Sequence, residues 1–132
     1  MMRNKAFISL YNAELVSTGA NNGTEADMQP YAHHYRELKA FAFVQSSSDT
    51  STDVTVDIKL QESATTASSD FADISGATFT QVIPADAASA QEIHFQKTLR
   101  YIRAVATVDG TAATIKTGCA VGVIADQLAA ST

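Results

Sequence analysis

Hydrophobic and polar residues alternate one by one along two stretches of this chain. The first stretch, residues 53–63, places four aliphatic side chains on one face: Val54, Val56, Ile58 and Leu60. The second, residues 100–110, does the same with Ile102, Ala104, Ala106 and Val108. Because successive side chains of a strand point to opposite faces, this period of two predicts half-buried β-strands. We expect the Val54–Leu60 face to lie in the core.

Weaker versions of the same pattern predict further strands at residues 5–16, 37–45, 91–95 and 114–124. In the segment 37–45 (ELKAFAFVQ), the second face carries Phe41 and Phe43, so we expect both faces to be covered. A helix over residues 31–44 is the competing prediction, since short apolar runs are ambiguous. Ser75-Gly76 and Asp109-Gly110 each predict a tight hairpin turn, the second of type I′.

Short strands separated by turn residues predict an all-β fold. With about eight strands, the expected architecture is a single antiparallel β-sandwich of jelly-roll-like form. The 132 residues suit one domain. We expect a short N-terminal arm at about residues 1–5 and a C-terminal tail at about residues 125–132. The many alanines and threonines predict a thin core of small side chains.

The net charge of −5 argues against phosphate-rich partners. Nucleic acids and anionic membranes both require clustered lysine and arginine, so we expect neither as a partner. The single cysteine, Cys119, excludes an intrachain disulfide. No apolar run approaches the roughly 18 residues of a membrane-spanning helix. The N-terminal run AFISLY is interrupted by Asn12 and Glu14, so we expect synthesis in the cytoplasm rather than secretion.

Residues that could carry chemistry are scarce. His33 and His34 are adjacent and would point to opposite faces of a strand, and His94 stands apart from them. Without metal-ligand spacing, a serine-nucleophile motif or a glycine-rich phosphate loop, we expect no metal, no cofactor, no catalytic residue and no enzymatic activity. The carboxylate pairs Asp49/Asp53 and Asp70/Asp73 fall in polar stretches and are interpreted as solvated loop charges.

Lys97, Arg100 and Arg103 form the one concentration of positive charge, with Tyr101 among them. A nucleic-acid site would pair the cations with phosphates and stack a base on Tyr101. A contact with an acidic protein partner is a better interpretation, and a solvated strand edge guarded by basic residues is better still.

The order of pieces from Val54 onward adds a resemblance. The segments LQES (60–63), FADISGATFTQV (71–82), EIHF (92–95) and RYIRAVATVDGT (100–111) follow one another before a final apolar strand. Over residues 25–124 this layout resembles the jelly-roll capsid decoration, or cement, proteins of tailed bacteriophages.

That resemblance implies a non-enzymatic virion protein, made in the host bacterial cytoplasm, that decorates the outer capsid surface and stabilises it by bridging capsomers. It implies two partners: the major capsid protein, and the chain itself, with a trimer favoured over a dimer. Arg3, Lys5, Arg100 and Arg103 are the expected capsid or oligomer contacts.

Two alternatives remain open. The same segments resemble discoidin-like carbohydrate-binding sandwiches, although the polar loops 46–52, 64–70 and 85–90 lack the aromatic platform that sugars stack on. A tail or head–tail structural protein of the same virion would share the strand layout.

Overall fold

The computed structural model describes residues 5–16, 19–29, 38–44, 54–83, 88–110 and 117–126. These ranges contain nine strands and one short 3-10 turn, Ser68–Asp70. The strands are β1 (Lys5–Val16), β2 (Gly19–Asn22), β3 (Ala26–Asp27), β4 (Leu38–Val44), β5 (Thr55–Ser63), β6 (Ala72–Thr78), β7 (Ser89–Phe95), β8 (Tyr101–Asp109) and β9 (Thr117–Asp126). The segment 38–44 is therefore a strand, and the rest of the alternative helix, residues 31–37, lies outside the described residues.

The strands form two antiparallel sheets. The first sheet has the order β1-β9-β4-β7, and the second has the order β2-β8-β5-β6, with β3 also paired to β8. Since β2 and β3 pair with successive parts of β8, they fill one strand position, which leaves four positions in each sheet. With the last strand beside the first and most connections crossing between sheets, the predicted jelly-roll sandwich is confirmed.

The core lies between the sheets and follows the predicted alternation. Val54, Val56, Ile58 and Leu60 are each 2% exposed or less, which confirms the inward face of β5. Alanines lie among the larger side chains at Ala40 and Ala42 of β4 and at Ala104 and Ala106 of β8. Most of the other buried residues are valine, leucine, isoleucine, methionine or phenylalanine, so the prediction of a core of small side chains holds at the alanine positions only.

Ser75-Gly76 forms a bulge rather than the predicted hairpin turn. β6 runs through it as one strand, pairing Gln61 with Asp73 and Lys59 with Thr78. The buried positions are therefore Ile74 and Ala77, three residues apart instead of two. Gly76 has a φ of 77°, a left-handed conformation that glycine adopts without the Cβ clash of other residues. A Ser-Gly pair suits a bulge and a turn equally, and the neighbouring strand decides between them.

Asp109-Gly110 does not form the predicted type I′ hairpin. That turn needs positive φ at both central residues, and no described residue other than glycine has one. β8 belongs to the second sheet, whereas β9 pairs with β1 and β4 in the first, so the chain changes sheets after Asp109.

Side-chain hydrogen bonds link strands of each sheet to the segments that connect the two sheets. The Gln91 amide of β7 accepts a hydrogen bond from the Thr80 backbone N–H at 2.8 Å and donates one to the Thr80 carbonyl at 2.8 Å. The Glu62 carboxylate of β5 accepts hydrogen bonds from the backbone N–H groups of Thr98 and Leu99 and from the Thr98 hydroxyl. These contacts satisfy backbone groups that no strand ladder reaches.

Candidate functional site

The outer surface of the first sheet carries an aromatic face, formed by Phe7, Phe41 and Phe43. Phe7 is 63% exposed and Phe43 is 48% exposed, and Phe41 is half-buried. The three residues point outward because their neighbours Ile8, Ala40 and Ala42 point into the core. The prediction that both faces of the strand at 37–45 are covered is thus wrong for Phe43. Among the described residues, the only other large exposed apolar side chain is Leu99, at 38%.

Small residues lie between the aromatic rings. In the strand registers, Phe43 stands between Ala120 of β9 and Ala90 of β7, so only methyl groups flank it. Phe41 lies opposite Gly122. The Phe7 ring covers this glycine closely, because a Cβ added at Gly122 would overlap the outer atoms of the ring. The absence of a side chain at Gly122 therefore permits the close approach of the ring.

Charges of both signs border the aromatic face. Lys39 Nζ and His94 Nε2 each lie 4.0 Å from Glu92 Oε1, and all three side chains are between 43% and 49% exposed. At this separation and exposure, such ion pairs contribute little to stability. These residues form the rim of the aromatic face. The charges of Lys39 and Glu92 cancel, so the rim lacks the excess of negative charge that gives the chain its net charge of −5.

The outer surface of the second sheet is polar and centres on Arg103, which is 9% exposed. Its Nε atom donates to Gln61 Oε1 at 2.9 Å, its Nη1 atom donates to Ser68 Oγ at 2.8 Å, and its guanidinium lies 4.3 Å from the centre of the Phe71 ring. Gln61 also donates to Asp73, whose pKa is lowered by this hydrogen bond and by one from Lys59. The cluster buries a cation among neutral acceptors and an aromatic ring.

Arg100 and Lys97 belong to the connection between β7 and β8. Arg100 donates two hydrogen bonds to Asp27, from Nε at 2.9 Å and from Nη2 at 2.8 Å. This pairing, with the Gln29 backbone N–H, lowers the Asp27 pKa to about 2. Lys97 is 6% exposed and donates to the Leu99 carbonyl. Burial lowers the pKa of Lys97, while the charges of Glu62 and Asp27 oppose that shift.

The four predicted contact residues do not gather into one described patch. Arg3 lies outside the described residues, and of Lys5 only the backbone, paired with Asp126, is described. Arg100 is exposed, whereas Arg103 is bound within the molecule. The strand-edge interpretation of the basic residues is wrong, because β8 is an interior strand between β2 and β5.

The candidate carboxylates that the structure describes have structural partners. His33, His34, Asp49 and Asp53 lie outside the described residues. Asp70 accepts a hydrogen bond from the Thr65 hydroxyl, and Asp73 is held by Lys59 and Gln61. Within the described ranges, no three histidine, cysteine, aspartate or glutamate side chains come together as a metal site. No helix there is long and apolar enough to span a membrane.

A shallow groove of about 440 Å³ lies where β7 leaves the first sheet, lined by Glu62, Ile74, Ser75, His94, Phe95, Gln96 and Thr98. Its carboxylate, Glu62, already accepts three hydrogen bonds from Thr98 and Leu99. Glu62 therefore serves to hold the connection between β7 and β8.

Sequence reasoning missed the aromatic face as a site. The available signal was the pair Phe41 and Phe43 on the second face of a strand whose first face already supplies the core. Both apolar faces of such a strand favour burial. When the fold of the chain buries only one face, the other stays exposed and is suited to contact with another molecule.

Comparisons with known proteins agree with the fold. No protein-family model matches the chain, and no curated protein matches it. A solved structure of dimeric latent PorU from Porphyromonas gingivalis superposes with a TM-score of 0.53 at 6% identity, over 96% of this chain and 13% of that one. A chain of the T13 IBDV viral particle superposes with a TM-score of 0.55 at 7% identity, over 95% of this chain and 31% of that one. At these identities the likeness establishes a shared sandwich fold.

Proposed function

We propose that this protein is a non-enzymatic structural component of a virion, which decorates a tailed-phage capsid and stabilises it by bridging capsomers. The single observation that carries the proposal is the aromatic face. Two phenylalanines exposed by about half or more on a flat sheet surface suit protein–protein contact rather than catalysis. The described polar clusters, around Arg103, Asp27 and Glu62, hold loops and strands in place.

Two further considerations support the proposal. The jelly-roll sandwich occurs in a chain of a viral particle, which gives the fold a precedent in that setting. The acidic chain would remain dispersed in the host cytoplasm until it meets a shell. On this proposal the partners are the major capsid protein and further copies of this chain, at the outer capsid surface. Arg3, Lys5 and Arg100 remain candidate capsid contacts.

A binding experiment tests this function. The purified chain is mixed with tailed-phage heads that lack their outer decoration protein, and the mixture is sedimented. We expect the chain to pellet with the heads and to raise their melting temperature, since a ligand of the assembled form stabilises it. A variant without residues 1–5 should bind more weakly while remaining folded. If the chain does not bind heads but sediments with tail tubes, the protein is a tail component. If it binds to neither, the proposal is rejected.

A further inference from the structure

We propose that the aromatic face is a self-association surface, through which two copies of this chain pack sheet against sheet around a two-fold axis. The inference names a surface for the self-association included in the proposed function. It rests on the same aromatic face as the proposed function but concerns the isolated protein, so its failure in solution is distinguishable from a failure to bind heads.

The first argument is shape. Phe43 projects from the sheet between Ala120 and Ala90, whereas the exposed Phe7 ring, opposite Ile124, covers Gly122. A surface that has both projecting rings and low positions can receive a second copy of itself, rings against small residues. When one patch meets the same patch, the contact is isologous and closes as a dimer. The aromatic face thus favours a dimer over the trimer that the cement-protein resemblance implies.

The second argument is charge. Chains of net charge −5 should repel one another, unless they make contact through a surface that carries no excess of negative charge. The rim of the aromatic face holds Lys39 and Glu92, one charge of each sign. In a two-fold arrangement, Lys39 of one copy can approach Glu92 of its partner, so the contact is electrostatically self-complementary.

The third argument is area, and it sets the expected strength. Four strands about 4.8 Å apart that lie side by side over roughly seven to ten residues cover roughly 450–650 Å² in plan. Two such faces would bury about 900–1,300 Å² in total, which exceeds most crystal contacts but lies at the weak end of specific interfaces. We therefore expect a reversible dimer that forms at micromolar concentrations.

Sedimentation velocity of the full chain over roughly 1–300 µM tests the proposal in the range where weak interfaces dissociate. We expect the mass to rise from 14.0 kDa towards twice that value. The double variant Phe7→Ser/Phe43→Ser should raise the dimer dissociation constant about tenfold or more, because it removes both exposed rings. The matched control is Leu99→Ser, which removes an exposed apolar side chain elsewhere and should leave the dissociation constant unchanged.

A cross-linking measurement keeps the test decisive if the double variant folds poorly. In a Cys119→Ala background, Phe43→Cys should form a covalent dimer with a short bismaleimide, and Leu99→Cys should not. Three results would each overturn the proposal: a wild-type chain that stays monomeric throughout the range, association that survives the loss of both phenylalanines, and equal cross-linking at the two positions.

Discussion

Arg103 is buried on the outer side of the second sheet, and no carboxylate of the described residues binds it directly. Its charge is accommodated by Gln61, Ser68 and the face of Phe71. This arrangement depends on the planar guanidinium, which can donate from several nitrogens while it stacks on a ring. A lysine ammonium offers a single donor centre and cannot reproduce the stacking.

We therefore expect Arg103→Lys to lower the free energy of unfolding by about 1–3 kcal/mol, because a buried cation loses hydrogen bonds and a ring contact. Urea denaturation at neutral pH measures this loss. The same change at Arg100, whose side chain is exposed, should have a smaller effect. Equal losses at the two positions would mean that the Arg103 cluster adds no special stability.

Gly122 and Phe7 should be energetically coupled. In the parent chain, Gly122→Ala would push its new methyl group into the Phe7 ring, and the ring would have to turn into solvent. In a Phe7→Ala background the same substitution no longer meets the Phe7 ring, and alanine should be more favourable than glycine in the strand by roughly 0.5–1 kcal/mol. A double-mutant cycle at low protein concentration should thus give a coupling of about 1 kcal/mol, and additive effects would contradict the contact.

At the scale of the strands, β5 shows what residue patterning can specify. Its three aliphatic residues alternate strictly, and the strand has a partner on each side and a core on one face. Local pattern and tertiary environment therefore agree. The turns at Ser75-Gly76 and Asp109-Gly110 were not predictable in the same way, because the pairing of distant strands decides whether a turn-forming dipeptide reverses the chain, bulges or crosses between sheets.

The aromatic face was only partly predictable for the same reason. The sequence pattern identifies two apolar faces on the strand around Phe41 and Phe43. Which of these faces the fold covers depends on where β9 and β7 lie, and those strands are far away in sequence. Arg103 looked like a surface cation because burial of an arginine depends on acceptors from Gln61 and Ser68, which the local pattern does not show.

Ile58→Asp tests the inward face of β5. Ile58 is 2% exposed, so the aspartate would place an unpaired charge in the core, and we expect a loss of at least about 3–5 kcal/mol or failure to fold. Thr78→Asp is the matched control, because it adds the same charge at an exposed strand position opposite Lys59. Circular dichroism and thermal melting compare the variants. An Ile58→Asp protein that melts like the parent would contradict the burial of this face.

For the whole molecule, acid should weaken the fold partly through Asp27. Because its pKa is about 2 in the folded protein against an ordinary value of 3.8, the unfolded chain binds the proton more readily. The stabilisation is therefore complete above the ordinary value and is lost as the pH falls towards 2. Asp27→Asn should reduce stability at pH 6 and flatten its decline between pH 5 and pH 2.5.

Urea denaturation at several pH values, without guanidinium, measures this difference in stability between the parent and the Asp27→Asn variant. The Asp27 side chain is 40% exposed, so high salt should screen the ion pair and shrink the effect of the substitution. An Asp27→Asn curve parallel to that of the parent at every pH would mean that the contact with Arg100 does not contribute to acid sensitivity.

The placement of β9 between β1 and β4 has a consequence for how fast the protein folds. All strands of the second sheet precede Thr117, and β9 follows every other described strand in the chain. The strand that joins β1 to β4 is therefore the described strand that lies farthest from both of them in sequence. Pairing between segments so distant in the chain is slow, and it leaves apolar strands exposed until it is complete. During folding, β1 and β4 are joined in one sheet only when β9 has paired with both.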